Sequence, residues 1–382
     1  MSQINYLPSA QKQGAFVSLP IGWASRHAYT SRPTLERFFF VNVSTRFLAA
    51  GLCAVTGLIS LPLLAQLATA LPVSGVQVTA TMTPVFVLNS LDDSVSVINP
   101  VNWSEIKRID TGKQPHHLYL TPDEKSVIVA NALSDSLTFI DPKTAEVQRT
   151  VRGVLDPYQL RFSPDMKWFV TAANRLNHID IYRWDGSEMT LAKRVSTGKT
   201  PSHLWIDSKS STIYSTMQDS DELIAVDLAQ QAVKWRIKTG PMPADVFGTA
   251  DDKFMLVALT GSDAVEVYDV AGKEPKRVKV IKTAAGAHAF RAFGDKRHLL
   301  VSNRVANTIS RIDLQTLEVV DNYPAPGGPD CMDVSRDGKQ ILVTSRWIRR
   351  LTIIDVATRK VVRQVNVGRS PHGVWTLDHA PR

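Results

Sequence analysis

The sequence of this chain predicts an all-β fold in which seven similar four-stranded units surround a central axis. Three observations support this prediction. The sequence repeats about every 42 residues from Thr111 onward, each repeat holds four short segments rich in Val and Ile, and the two ends of the chain together supply one further repeat. A repeat of this period is typical of stacked or radially arranged units, and no segment carries a convincing helical hydrophobic period.

Each repeat opens with a similar motif that ends in a short apolar segment. The motifs are TGKQPHHLYL at Thr111, RGVLDPYQLRF at Arg152, TGKTPSHLWI at Thr197, TGPMPADVFG at Thr239, TAAGAHAFRAF at Thr283, APGGPDCMDV at Ala325 and VGRSPHGVWT at Val367. We call the two residues after the aligned Pro (Ala287 in the fifth copy) the slot. The apolar residues after the slot predict the first strand of each unit.

The later elements of each repeat follow in a fixed order. A polar turn such as TPDEK at Thr121 or SRDGK at Ser335 comes first, and its Pro and Asp favour a tight reversal. A second strand follows, as in SVIVAN at Ser126. A third strand ends on an aliphatic-Asp pair, as in LTFID at Asp141, and a more polar fourth strand ends the copy. Four short strands per unit predict one blade of a β-propeller.

The two ends of the chain complete the circle. Six full copies run from Thr111 to about Asn366, and the last motif, VGRSPHGVWTL, supplies one strand only. The segment from Val85, VFVLNSLDDSVSVINPVNWSEIKRI, supplies the other three strands. We therefore predict a seven-bladed β-propeller over residues 84–382, closed by a blade that the N- and C-terminal strands share. This closure removes the open sheet edges that promote aggregation.

These motifs resemble the YVTN-type repeat, with T-G-x-x-P at the start of a blade, S-P-D-G-K in the turn, V-A-N in the second strand and V-I-D in the third. The resemblance covers roughly residues 84–382. It is similar to the exported YncE-like propellers and, more distantly, to the propeller domain of cytochrome cd1 nitrite reductase. It implies a seven-bladed propeller outside the cytoplasm. It does not fix a function, because propellers host many unrelated activities.

The slot is rich in histidine. Five of the nine histidines of the chain lie in its fourteen positions, where composition alone would place about 0.3. In a propeller the first strand of each blade lines the central channel, so the slot forms a ring near one mouth. Because the seventh blade is next to the first, four residues form a continuous arc that we predict as a metal site: His116, His288, Asp330 and His372. Imidazoles with one carboxylate suit Zn, Cu or Fe.

Further residues are candidates for binding a small ligand at the same mouth: His116, His117, Tyr158, His203, Asp245, Arg304 and Arg346. The two arginines follow second strands and suit an anion. The cd1 resemblance implies an alternative in which axial His holds a haem-like tetrapyrrole. The chain has no C-x-x-C-H, which excludes covalent c-type haem. The simpler alternative is that the histidines are the polar lining that a wet channel needs.

The N-terminal region predicts export. Residues 47–72 contain no charge, follow Arg46 and include Ala68-Thr69-Ala70, so we interpret 45–70 as a signal peptide, with a membrane anchor or a buried helix as alternatives. Residues 1–44 are interpreted as disordered or as a mis-assigned extension. Without residues 1–70 the net charge falls from +8 to +4, which argues against a nucleic-acid partner. The folded part retains one cysteine, so disulfides say nothing about the compartment.

The sequence therefore predicts an exported, monomeric propeller that binds a small ligand, a metal or another extracytoplasmic protein at the His-rich mouth of its channel. We expect it to contact a membrane only through an uncleaved N-terminal segment. The alternative is a metal- or tetrapyrrole-dependent enzyme, a redox protein or a lactonase-like hydrolase, that uses the same His/Asp arc. No G-x-S-x-G, Gly-rich phosphate loop or H-E-x-x-H is present, so the enzyme alternative has no motif of its own.

Overall fold

A computed structural model describes residues 83–382 of the chain. The segments 1–44 and 45–70, with the predicted extension and targeting sequence, lie outside the described residues. Residues 83–382 form 28 strands and no helix, so no helix among them is long and apolar enough to cross a membrane. The predicted all-β class is confirmed.

In chain order the strands are β1 (Val85–Asn89), β2 (Ser94–Ile98), β3 (Glu105–Asp110), β4 (Pro115–Leu120), β5 (Val127–Asn131), β6 (Ser136–Ile140), β7 (Val147–Arg152), β8 (Pro157–Phe162), β9 (Trp168–Ala173), β10 (His178–Trp184), β11 (Met189–Ser196), β12 (Pro201–Ile206), β13 (Thr212–Met217), β14 (Glu222–Asp227), β15 (Ala232–Lys238), β16 (Pro243–Gly248), β17 (Phe254–Leu259), β18 (Ala264–Asp269), β19 (Lys276–Lys282), β20 (Ala287–Ala292), β21 (His298–Asn303), β22 (Thr308–Asp313), β23 (Glu318–Pro324), β24 (Pro329–Val334), β25 (Gln340–Ser345), β26 (Arg350–Asp355), β27 (Lys360–Asn366) and β28 (Pro371–Thr376).

The strands form seven antiparallel four-stranded sheets, each a blade. Blades 1 to 6 are the consecutive sets from β4–β7 to β24–β27, and blade 7 has the order β28-β1-β2-β3. The seven-bladed propeller with one shared blade is therefore as predicted. The second and third strands of a blade are almost entirely buried, whereas the fourth strand alternates between exposed and half-buried residues. This difference arises because the fourth strand is the outer edge of its sheet.

The apolar core lies between neighbouring blades. One cluster joins blades 7 and 1 and includes Phe86, Leu88 and Trp375 with Val127 and Val129. Each of these side chains is at most 1% exposed. The flat faces of the blades thus bury their Val and Ile against each other around the whole ring, which leaves the polar slot residues for the channel.

Asn89 ties the two ends of the chain together inside blade 7. Its side-chain Nδ2 donates to Ser96 Oγ at 2.9 Å, and its Oδ1 accepts the Gly368 N–H at 2.9 Å. The corresponding Asn131 of blade 1 makes the bond to Thr138 Oγ1, but its Oδ1 has no hydrogen-bond partner among the described residues. Asn89 therefore makes one hydrogen bond that Asn131 lacks, and this bond joins the two ends of the chain where the ring closes.

Replacing Asn89 with Ala is expected to lower the free energy of unfolding by about 2 kcal/mol, since it leaves the buried Gly368 N–H without an acceptor. Asn131→Ala removes a similar side chain without breaking a contact between the chain ends, so its loss should be smaller by about 1 kcal/mol. Urea unfolding of both variants measures the difference. Equal losses would show that the bond to Gly368 adds nothing to closure.

Candidate metal and ligand site at the channel mouth

A β-bulge places the slot residues in the channel. In blade 1, Pro115 pairs with Asn131 and Leu118 pairs with Val129, so His116 and His117 together stand opposite Ala130. A register shift occurs at the same place in all seven inner strands. A bulge redirects side chains that regular alternation would send to opposite faces. The sequence predicted strands that begin after the slot; the structure instead includes the slot in each strand as its bulge.

The residue before each slot proline has a positive φ, which fixes how the inner strand starts. Gln114, Asp156, Thr200 and Met242 have φ between 45° and 60°. A positive φ is uncommon outside glycine. The backbone N–H of each of the four donates to an Asp or Asn side chain in the loop between the second and third strands of the preceding blade. Gln114, for example, donates to Asp93 Oδ1 at 2.8 Å. This bond links each inner strand to the preceding blade.

Three residues of the predicted arc converge on one point. Asp330 Oδ1 lies 3.2 Å from His288 Nε2 and 3.4 Å from His372 Nε2. All three side chains are at most 3% exposed. Because adjacent blades 5, 6 and 7 supply them, their first slot positions meet side by side. This triplet has the spacing of a metal-ligand set.

The outer nitrogens of the two imidazoles are hydrogen-bonded away from this point. His372 Nδ1 lies 2.9 Å from the backbone oxygen of His116, which can only accept, so Nδ1 carries the proton. His288 Nδ1 lies 2.9 Å from Thr260 Oγ1, and that hydroxyl in turn donates to Ala287 O at 3.1 Å. Both Nε2 atoms are therefore unprotonated, and both lie beside Asp330 Oδ1. His372 Nε2 and Asp330 Oδ1 have no hydrogen-bond partner among the described residues.

Two arginines hold the other side of the Asp330 carboxylate. Arg304 Nη2 lies 2.8 Å and Arg346 Nη1 3.0 Å from Oδ2. Arg304 Nη2 also donates to His288 Nε2. The Nε of Arg346 donates to Ser370 Oγ at 2.9 Å, which fixes its guanidinium. Both predicted arginines thus reach the arc, whereas Arg175 of blade 2 pairs with Asp156.

His116 belongs to a second group. Its ring stacks on those of His372 and Tyr158, with centroids 3.6 and 4.0 Å apart. His116, His117 and His372 form another possible ligand triplet, and His116 Nδ1 is unpartnered among the described residues. The four residues of the predicted arc are therefore split between two triplets that share His372, and the second triplet adds His117.

The other predicted ligand-binding residues form a hydrogen-bonded chain. Asp245 Oδ1 accepts from His203 Nδ1 at 2.8 Å, and His203 Nε2 lies 3.1 Å from His117 Nε2. Asp245 is also held by the Phe290 N–H, which donates to Oδ2 at 2.7 Å. The chain crosses the channel from blade 4 to blade 1. Asp245 thereby fixes the orientation of the His203 ring, as a carboxylate bound to Nδ1 does for many functional histidines.

A cavity of about 140 Å³ continues from the slot down the channel. His117, His203, Asp245 and Cys331 line it, with Arg291 nearer the opposite mouth. Cys331 Sγ lies 3.5 Å from His372 Nδ1. Burial, together with the charge of Asp330, raises the pKa of the Cys331 thiol well above its usual value. The thiol is thus protonated at neutral pH and is not an activated nucleophile.

Burial and charge together keep the imidazoles neutral. Burial and the Arg304 charge lower the pKa of His288 to about 4. Burial likewise lowers the pKa of His116, His117 and His372 well below the usual value. Burial alone would raise the pKa of the Asp330 carboxyl, but Arg304 and the nearby imidazoles hold it well below its usual range. At neutral pH the site therefore holds an ionised Asp330 carboxylate beside the neutral imidazoles of His288 and His372.

The metal-free protein is expected to lose stability as the pH falls from about 6.5 toward 4. In this window His288 binds a proton in the unfolded state but stays neutral in the folded state, because its folded-state pKa is about 4. A lower pH therefore favours the unfolded state. The contribution approaches about 1.4 kcal/mol per pH unit for each such imidazole. Urea unfolding at several pH values measures it, and His288→Gln should reduce the slope. An unchanged slope in that variant would contradict the assignment.

Sequence reasoning missed Thr260, which orients His288. The residue lies directly after a second strand, in the same repeat position as Arg304 and Arg346. This shared repeat position could have identified Thr260 from the sequence, because the residues that directly follow the second strands form a second ring next to the slot. The sequence also did not indicate that both arginines would meet one carboxylate.

A sequence profile of YNCE-like β-propellers matches residues 41–382 of the chain. The chain belongs to the YNCE-like β-propeller family. Among the relatives of this YNCE-like chain, the YncE protein of Salmonella typhimurium strain LT2 is 30% identical over 165 residues, covering 42% of this chain and 46% of that protein. The match thus spans less than half the length of that relative.

Solved structures share the fold of this YNCE-like propeller. The periplasmic gluconolactonase PpgL of Pseudomonas aeruginosa is 17% identical with a TM-score of 0.67, covering 79% of this chain and 100% of that one. The dihydro-heme d1 dehydrogenase NirN is also 17% identical, with a TM-score of 0.59, covering 77% of this chain and 75% of that one. Likeness at this level establishes the fold alone, and it agrees with the resemblance stated from the motifs.

Proposed function

We propose that this propeller acts outside the cytoplasm and binds a divalent transition-metal ion at the His-rich mouth of its channel. One observation carries the proposal. Asp330 Oδ1 lies 3.2 Å from the unprotonated Nε2 of His288 and 3.4 Å from that of His372. Among residues 83–382, His372 Nε2 and Asp330 Oδ1 have no hydrogen-bond donor between them, and His288 Nε2 is met only by the Arg304 guanidinium. A metal ion held by the three atoms would remove the repulsion between the facing lone pairs.

The surrounding hydrogen bonds support a metal more than a wet polar lining. Metal-binding imidazoles usually donate their other N–H to a carbonyl, carboxylate or similar acceptor. His372 does so to the His116 carbonyl and His288 to the Thr260 hydroxyl. Histidines that merely lined a wet channel would have solvent contact, but these two are at most 2% exposed.

The ligand chemistry favours a borderline ion. Two imidazoles and one carboxylate suit Zn, Cu or Fe rather than Mg or Ca. Three protein ligands leave a position open. His116 and His117 form the adjacent triplet around His372, so the predicted set of His116, His288, Asp330 and His372 remains the region of the proposed site.

The open position favours a second candidate function, metal-dependent hydrolysis. The ion would supply Lewis-acid activation, and the chain from Asp245 through His203 to His117 could move a proton beside it. PpgL, which shares the fold, is described as a gluconolactonase, and the opening of a lactone is a hydrolysis. The tetrapyrrole alternative fits less well, since a flat macrocycle needs an axial imidazole that reaches the surface, and His116, His288 and His372 are at most 3% exposed.

The extracytoplasmic location rests on the N-terminal sequence and on the relatives. Residues 45–70 have the composition of a secretory signal. PpgL, which shares the fold, is described as periplasmic. Placement outside the cytoplasm also leaves a small ligand or another exported protein as the partner at the mouth, and the small net charge argues against nucleic acid.

Elemental analysis of the exported protein tests the metal proposal. The protein is stripped with chelator, loaded separately with Zn²⁺, Cu²⁺ or Fe²⁺, and freed of unbound metal. We expect one tightly held ion per chain, and loss of it in the double variant His288→Gln/His372→Gln. The control is His298→Gln, because His298 pairs with Asp295 outside the channel. Folded wild-type protein that retains none of the three metals overturns the proposal.

A further inference from the structure

The charges around Asp330 point to a second ligand beside the proposed metal. One carboxylate is shared by two guanidinium groups, those of Arg304 and Arg346. Adding a divalent ion to this set makes the local charge about +3. A buried excess of positive charge is costly unless counter-charge is present. The arrangement is therefore complete only with an anion.

The nearby carboxylate Asp245 does not supply that counter-charge. Its Oδ1 faces His203 Nδ1 and also accepts the Val246 N–H at 2.8 Å, while its Oδ2 accepts the Phe290 N–H. Both oxygens are therefore already hydrogen-bonded, to residues of blades 3, 4 and 5. Asp156, which precedes the first strand of blade 2, is held by Arg175 and by two backbone N–H groups.

Arg304 occupies the position that the metal would need. Its Nη2 donates to the His288 Nε2 lone pair and also contacts Asp330 Oδ2. One lone pair cannot bind a proton donor and a metal ion together, so metal binding must move the guanidinium off His288. Arg304 Nε has no hydrogen-bond partner among the described residues, so the guanidinium can turn away from His288 while it keeps its contact with Asp330.

We propose that a small oxyanion, of the carboxylate or phosphate class, binds at the mouth between the open position of the metal and the two guanidinium groups, and that the metal binds first. Guanidinium groups bind such oxygens through paired N–H donors. The Arg304 and Arg346 side chains are 18% and 25% exposed, so their edges reach the solvent from which an anion arrives. This inference rests on the proposed metal site.

Isothermal titration of the full exported protein tests the order and the ligand class. Inorganic phosphate and acetate, as two separate arms, are titrated into zinc-loaded and zinc-free protein. We expect at least one of them to bind once per chain to the loaded form, and at least about 10-fold more weakly to the zinc-free form. The stronger arm identifies which oxyanion class the site prefers.

Arginine variants test the assigned residues. Arg346→Gln and Arg304→Gln should each weaken the anion about 10-fold while zinc stoichiometry stays at one. Arg304→Gln should also raise the zinc affinity several-fold, because it removes the competing donor from His288. Arg175→Gln is the matched control and should change neither value, since Arg175 binds Asp156 away from the triplet.

The outcomes separate this inference from the metal proposal. Protein that takes up none of Zn²⁺, Cu²⁺ or Fe²⁺ contradicts the metal site itself, and where another of these ions is held in place of Zn²⁺, the titrations use that ion. Protein that takes up zinc but binds neither anion, or binds it equally well without zinc or without both arginines, overturns the anion inference alone. Circular dichroism of each variant establishes that the propeller is folded before the titrations are compared.

Discussion

Truncation after Asn366 is expected to abolish cooperative folding of the propeller. It removes β28, a strand that pairs with β1 and whose six residues are all buried. Trp375 is lost from the cluster with Phe86 and Leu88, and blade 7 keeps only three strands. Each large buried apolar side chain is worth about 1.5–3 kcal/mol, so the loss rivals the 5–15 kcal/mol that a typical protein has in total.

A shorter truncation is the matched control. Ending the chain after Thr376 keeps β28 and removes only the tail, in which Arg382 pairs with Asp333 and Arg291 donates to Ala380 O. We expect this form to fold with a modest loss of stability. Near-ultraviolet circular dichroism and urea unfolding compare the two forms. A cooperative transition after removal of residues 367–382 would contradict the closure of the ring by β28.

A synthetic peptide of residues 367–382 should restore the longer truncation in part. The peptide can pair with β1 and return Trp375 to its cluster, because both contacts are made by this segment alone. The observable is the recovery of the near-ultraviolet signal on titration. A scrambled peptide of the same composition serves as the control.

Replacing Asp330 with Ala is expected to lower the free energy of unfolding by about 3 kcal/mol, because removing one member of a buried ion pair leaves the other charges uncompensated. Asp330 is fully buried and is the carboxylate that both Arg304 and Arg346 contact. The same substitution removes a proposed metal ligand. Urea unfolding of the metal-free form isolates the ion-pair effect from any effect of metal binding.

An exposed ion pair provides the control for this prediction. Arg336 Nε lies 2.6 Å from Asp378 Oδ1, with the side chains 68% and 61% exposed. Exposed pairs contribute about 0–1 kcal/mol, so Asp378→Ala should have little effect. If the two substitutions cost the same, Asp330 does not hold the channel arginines in place.

The fold was predictable because its signals recur. The positions of Pro, the turn Asp and the Val-rich second strand appear in successive repeats, so one ambiguous copy is corrected by the others. The shared blade was also predictable: VGRSPHGVWT carries the opening motif without the rest, and the segment from Val85 carries the rest without the opening. Those fragments become β28 and β1–β3 of one sheet.

The sequence predicted which residues lie near one another at the candidate site, but not which of their atoms face each other. The repeat position of His288, Asp330 and His372 placed them in adjacent blades, and the structure brings their ligand atoms together. The position of His116 suggested the same set, but its ring stacks on His372 instead of pointing at Asp330. The spacing of the repeats assigns each slot residue to a blade. The direction in which its side chain points depends on its rotamer and hydrogen bonds, and these are set by residues of the neighbouring blades.

The bulge in each inner strand has an evolutionary consequence. Because the slot residues stand outside the regular pairing of their strand, they can change without shifting the register on which the interior of the blade depends. Natural variation can therefore exchange His, Asp, Tyr, Ser or Ala there, one blade at a time, at little risk to the scaffold. Fourteen such positions around one axis give a single chain a combinatorial set of compositions at the channel mouth, and the present ring is one member of that set.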